Sequence, residues 1–113
     1  MEVWNLSINL SLQIYKLTLT FPEIEKFSLI QQLRRSATSV PTNLVEGISR
    51  DSFKEQARFT TIAYGSLMEC LNLLVIAHKL DYFKEDVYGE LRDIINKISN
   101  QLNSLKKSQL KRT

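Results

Sequence analysis

The chain is poor in residues that staple, break or loosen a fold: one cysteine, two prolines and three glycines among 113 residues. A lone cysteine, Cys70, has no intrachain partner and sits in an apolar stretch, where the ordinary reading is a small buried hydrophobe. So few glycines and prolines exclude a turn-rich β fold and a flexible linker. The single histidine, His78, has no second histidine or cysteine at metal-ligand spacing, so neither a metal nor another cofactor is expected. No glycine-rich phosphate loop, nucleophile elbow, Ser-His-Asp set or Cys-His pair occurs. Paired carboxylates do occur, at Glu85-Asp86 and Glu23-x-Glu25, but at helix starts, where the helix dipole accounts for them. These absences argue against an enzyme. No apolar run approaches the ~18 to 20 residues of a membrane span; the longest is Leu73 to Ala77. The start, Met1-Glu2-Val3-Trp4, lacks the basic region of a secretory signal, so a cytoplasmic location is expected. Without export, the glycosylation patterns Asn5-Leu6-Ser7 and Asn9-Leu10-Ser11 carry no meaning.

What is present is charge in one place and helical period nearly everywhere. The net charge is +3, from 15 basic and 12 acidic side chains. Lys106, Lys107, Lys111 and Arg112 lie in the last eight residues with no acid among them. Without those four, residues 1–105 hold 11 basic against 12 acidic residues. The organisation expected is one domain over 1–105 followed by a basic tail over 106–113. Two readings of the tail stay open: weak, salt-sensitive affinity for phosphate backbones, or a solvated helix end whose cations complement the dipole.

Residues 3–20 carry two patterns at once. Leu6, Ile8, Leu10, Leu12 and Ile14 alternate like a strand, whereas Trp4, Ile8, Leu12, Tyr15 and Leu19 recur at 4-4-3-4 spacing like a helix. No other segment offers a strand partner, so the segment is read as a helix ending at Phe21-Pro22. A second helix is expected from Glu23 to Val45 or Glu46. Its stripe Leu33, Ala37, Val40, Leu44 and Ile48 passes straight through Pro41, which predicts a kink because proline removes one backbone bond and clashes with the preceding turn. Gly47 then falls at the C-terminal position that favours glycine. Arg35, Ser39, Thr42 and Glu46 share an arc opposite the stripe, either a solvent face or a contact with another subunit. Ser52-Phe53-Lys54-Glu55 has capping-box spacing and opens a third helix reaching Leu80. From Leu67 to Ala77 that helix is apolar nearly all round, so Met68, Leu71 and Val75 are expected to be covered by another copy. Gly65 within it suggests a close helix approach. Val87, Leu91, Ile94, Ile98, Leu102 and Leu105 mark a fourth, amphipathic helix beginning near Lys84 to Asp86. The fold expected is all-α: an up-down antiparallel four-helix bundle with its second helix kinked at Pro41.

Gln32-Leu33-Arg34-Arg35 followed by Val40-Pro41-x-Asn43-x-x-Glu46-Gly47 resembles the signature of the 23S rRNA intervening-sequence proteins. Val3-Trp4, Tyr15-Lys16-Leu17-Thr18 leading to Phe21-Pro22, Lys54-Glu55, Arg58-Phe59, Ile62-Ala63 and Gly65-Ser66-Leu67 extend the resemblance over about residues 3 to 80. It implies a bacterial, cytoplasmic, non-enzymatic four-helix bundle forming homopentamers, some of which associate with nucleic acid. It also places Arg35, Pro41, Asn43, Glu46 and Gly47 among motif residues. Asp81 stands where the family usually has glycine, a substitution the left-handed conformation tolerates.

Two functions are therefore open. One is binding to RNA or DNA through Arg34, Arg35, Arg50, Lys54 and Arg58, expected to cluster around the turn between helices two and three, together with Lys106, Lys107, Lys111 and Arg112. Against it, Glu46, Asp51 and Glu55 lie among those cations, and no exposed aromatic was expected to interleave them. The other is a structural or adaptor oligomer that binds a protein partner through apolar surface.

Overall fold

Four amphipathic segments and one buried centre produce a helical bundle. The computed structural model describes residues 1–113: α1 spans Glu2–Thr18, α2 Leu29–Ile48, α3 Phe53–Lys79 and α4 Glu85–Lys111, with a single 3-10 turn at Glu23–Glu25. Each helix packs on its neighbour in sequence, and α1 closes the ring against α4, as in an up-down bundle. The body measures 46 × 25 × 19 Å. Four members of the predicted α2 stripe form its spine: Leu33, Ala37, Val40 and Leu44 are buried against Leu67, Cys70 and Leu74 of α3 and their neighbours in one core, whereas the fifth, Ile48, is exposed. α3 has an 18-residue window of mean hydropathy 1.5, enough by length and composition to cross a membrane. It lies between α2 and α4, and burial of its inner side accounts for that composition.

The structure revises several expectations. Helix α1 has two apolar faces, which is why its sequence fits two periods. Leu10 and Ile14 point to the core, while the stripe that suggested a helix faces outward, with Leu12 66% and Leu19 78% exposed. Helix α2 starts at Leu29 rather than Glu23, since Pro22 leads only into the short 3-10 turn. The kink at Pro41 is not confirmed: α2 is assigned as one helix through the proline, which is itself buried. Side chains brace the turn around the missing N–H. Thr42 Oγ1 donates to the Thr38 carbonyl at 2.8 Å, and Asn43 Nδ2 donates to the Ser39 carbonyl at 2.8 Å. Ser39 does not join an outward arc; its hydroxyl meets that of Ser66 on α3 at 2.8 Å.

Gly47 is not a left-handed cap. It lies within α2, and a Cβ there would sit 3.0 Å from Phe59 Cβ and 3.6 Å from the Gln56 carbonyl oxygen. Its role is to let α2 and α3 converge. Gly65, by contrast, has nothing within 4 Å of a would-be Cβ, so no close approach inside the chain explains it. Ser52 caps α3 by accepting from the Glu55 N–H at 3.0 Å, while the Glu55 carboxylate turns to Arg58 instead of back to the cap. At the far end α3 closes with paired bonds from Asp81 N–H to the His78 carbonyl and from Tyr82 N–H to the Ala77 carbonyl. Asp81 adopts the left-handed conformation this requires, with φ 61°. Tyr82 then donates to Glu25 at 2.7 Å, pinning the α1–α2 connection to the α3–α4 turn. Hydrogen bonds from Ser28 and then Tyr82 hold the Glu25 carboxyl below its ordinary range.

Asp81→Gly is expected to stabilise the protein by about 1 kcal/mol by removing the cost of a side chain at positive φ, raising Tm by several degrees. Gly47→Ala is expected to do the reverse. Phe59 Cβ is fixed to the α3 backbone, so overpacking outweighs the helix-propensity gain and stability falls by about 1 kcal/mol. Thermal unfolding of both variants checks the pair.

Candidate nucleic-acid interface

The antiparallel path brings together two basic segments far apart in sequence. The C-terminus of α2, the N-terminus of α3 and the C-terminus of α4 meet at one end of the bundle, where Leu44, Ile48, Phe53, Gln56, Leu105 and Arg112 share one cavity. Arg50, Lys54 and Arg58 therefore join Lys106, Lys107, Lys111 and Arg112. Seven cations gather on segments holding three acids, Glu46, Asp51 and Glu55. Only Arg58 is in an ion pair there, with Glu55 at 3.1 Å, so Glu46 and Asp51 do not quench the patch by direct pairing. The Arg58 hydrogen bonds hold the Glu55 carboxyl below its ordinary range.

Residues 106–111 are not a separate tail but the last turns of α4, and Gln109 there accepts from Thr60 of α3 at 2.8 Å. Lys106 is half-buried, whereas Lys107, Lys111 and Arg112 are exposed. Aromatic rings do interleave these cations. Arg50 and Arg58 each lie 4.7 Å from the Phe59 ring centre, and Arg112 lies 5.4 Å from that of Phe53. Such contacts fix guanidinium groups over rings without consuming their charge. Phe59 is buried, but Phe53 is 38% exposed.

Arg34 and Arg35 do not belong to this cluster. Arg34 lies 14 residues before Ile48, the last residue of α2, about 21 Å along the helix from the turn that carries Arg50. Arg34 is occupied at the end of α1, donating to Thr18 Oγ1 at 2.9 Å and to the Tyr15 carbonyl at 3.3 Å, with its guanidinium 4.5 Å from the Tyr15 ring centre. Arg35 is exposed beside a shallow depression shared with Phe27 and Ile30.

The residue model of one family covers most of the chain: that of the 23S rRNA-intervening sequence proteins matches residues 1–104. The chain belongs to that family. A comparison with curated proteins finds no match. Among solved structures, a protein of unknown function from the S23 ribosomal protein family of Bacteroides thetaiotaomicron VPI-5482 aligns with a TM-score of 0.83 at 23% identity, covering 93% of this chain and 98% of that one. At that identity the likeness speaks for the fold alone.

In this member of the 23S rRNA-intervening sequence family, several motif residues have structural work. Pro41 and Gly47 are buried in α2, and Asn43 braces the proline turn. Glu46 is exposed. Met68, Leu71 and Val75 are half-buried, Met68 and Leu71 packing against the core of their own chain. A more open apolar surface lies elsewhere. A groove of about 710 Å³ runs between α1 and α2, lined by Trp4, Ile8, Leu12, Tyr15 and Val45. Sequence reasoning missed it because the spacing of those α1 positions identifies a helix without saying which face is buried. The signal was nevertheless there, in an α1 apolar on two faces.

Cys70 is fully buried, and burial pushes its thiol up to about 12. The folded protein at pH 8 should therefore resist thiol reagents, and modification should track global unfolding in denaturant. Rapid labelling of native protein would contradict the buried assignment.

Proposed function

We propose that this chain is a self-associating helical bundle that binds the phosphate backbone of RNA or DNA through its basic end. The observation that carries this reading is that the segment bearing Arg50, Lys54 and Arg58 and the helix end bearing Lys107, Lys111 and Arg112 meet at one end of the bundle. All of these but Arg58 lack a direct acidic partner, and such cations release counterions on meeting a polyanion, an interaction that needs no base sequence. Assembly would repeat the patch in each copy.

Self-association is supported by two distinct apolar surfaces. One is the α1–α2 groove. The other is the outward face of α3, where Ile62 and Ile76 are 38% and 42% exposed with Gly65, Glu69 and Asn72 between them. Glycine at this exposed mid-helix position costs about 1 kcal/mol relative to alanine, and a neighbouring copy seated there would explain it. Two unlike patches suit head-to-tail contacts that close into a ring, consistent with the pentamer implied by family resemblance. We assign a second copy of the chain as occupant of the groove, in preference to an unrelated protein partner.

Fluorescence anisotropy with single-stranded RNA and DNA across a salt series tests the binding reading. Binding should weaken steeply with salt, and replacing Lys107, Lys111 and Arg112 together by glutamine should lower affinity and flatten the slope by about 0.7 per lost contact. No binding at low salt would overturn the proposal. Leu12→Asp, at an exposed site, should lower the mass measured by light scattering while leaving helicity intact. An unchanged mass would rule out the groove as the interface.

A further inference from the structure

At the centre of the basic end lies a cavity of about 230 Å³. We infer that it receives one unpaired nucleobase of the strand whose backbone the surrounding cations hold, an inference that rests on the backbone-binding reading above. The volume corresponds to about seven or eight waters at ~30 Å³ each, below the ~300 to 1,000 Å³ of drug-sized ligand sites. That suits a single planar heterocycle. Phe53 supplies an aromatic wall, with Met1, Leu44, Ile48 and Leu105 completing the apolar lining. The Arg112 guanidinium over Phe53 ties a phosphate-binding group directly to the stacking ring.

The polar lining is what distinguishes a base from a plain hydrocarbon. Gln56 Nε2 donates to the Arg50 carbonyl at 3.1 Å, which leaves its Oε1 free to accept. Gln109 Oε1 accepts from Thr60 Oγ1 at 2.8 Å, which leaves its Nε2 free to donate. Both amides are therefore held by the protein while offering one acceptor and one donor at the same cavity, beside the Ser108 hydroxyl. A base edge presents complementary donors and acceptors in one plane. Both glutamines come from the helices that carry the cations, so base and backbone sites are one rigid unit. RNA and DNA share this chemistry, and nothing in the pocket requires a ribose hydroxyl.

The test uses the full chain and a short oligonucleotide prepared as RNA, as DNA, as the same backbone with abasic sites, and as a blunt duplex, all at one low salt concentration. Base-bearing single strands of either sugar should bind about tenfold more tightly than the abasic backbone and the duplex, the range expected for one stacked base. 2-Aminopurine in the strand should change its fluorescence on binding. Phe53→Leu, which keeps apolar volume at a partly exposed position, should lose the advantage of the base-bearing strand. Equal, salt-sensitive affinity for intact and abasic strands would overturn the base pocket and leave backbone binding standing. No affinity for any strand would overturn both.

Discussion

The architecture of the candidate site depends on the close approach of α2 and α3 at Gly47 and Phe59. With only 3.0 Å available between Phe59 Cβ and an added Cβ, any side chain at position 47 requires α2 and α3 to give by a few tenths of an ångström. That contact closes the α2–α3 hairpin through a turn of four residues, Ser49 to Ser52. It also sets Phe59 where Arg50 and Arg58 flank it from the two sides of the turn. The same convergence brings Gln56 and Thr60 against the last turns of α4. A packing constraint in the family motif thus positions the charged surface, although the motif glycine carries no charge or chemistry of its own.

The fold was largely readable from the sequence because the stripes of α2 and α4 are simple amphipathic patterns. Leu33, Ala37, Val40 and Leu44, like Leu91, Ile98 and Leu102, all proved to be buried. Reading failed where a helix has two apolar faces. In α1 periodicity identified the helix but not which face was core, since Trp4–Ile8–Leu12 and Leu10–Ile14 are equally regular. At Pro41 the expected kink is not confirmed, and hydroxyl and amide side chains at Thr42 and Asn43 brace the helix locally. The candidate site was half readable. Its cations were visible as two runs, but their convergence depends on helix lengths and antiparallel order, and Arg34 and Arg35 were separated from it by the length of α2. Gln56 and Gln109 gave no sequence signal, because a glutamine on a helix face is ordinary until another element packs beside it.

Charge and apolar surface are spatially divided in a way that composition alone conceals. Residues 1–105 are nearly neutral as a set, yet the α2–α3 turn and the end of α4 concentrate seven cations. At the opposite end seven acids, Glu23, Glu25, Asp81, Glu85, Asp86, Glu90 and Asp93, are matched by seven cations, Lys16, Lys26, Arg34, Arg35, Lys79, Lys84 and Arg92. The excess positive charge therefore sits at one end of the long axis, and that end is the one a polyanion attracts. The molecule's apolar groove of about 710 Å³ lies on the α1–α2 side, away from the α3–α4 packing. Self-association there can therefore coexist with nucleic-acid contact at the end.

The central claim is that nucleic acid meets this protein at the convergence of α2, α3 and α4. Photo-crosslinking of a single strand containing 4-thiouridine, followed by mass-spectrometric mapping of the attached peptides, tests it most directly. The account predicts crosslinks concentrated around Phe53 to Gln56 and Gln109 to Arg112. Crosslinks confined to the Arg34–Arg35 region of α2, or to the α3–α4 turn, would contradict it.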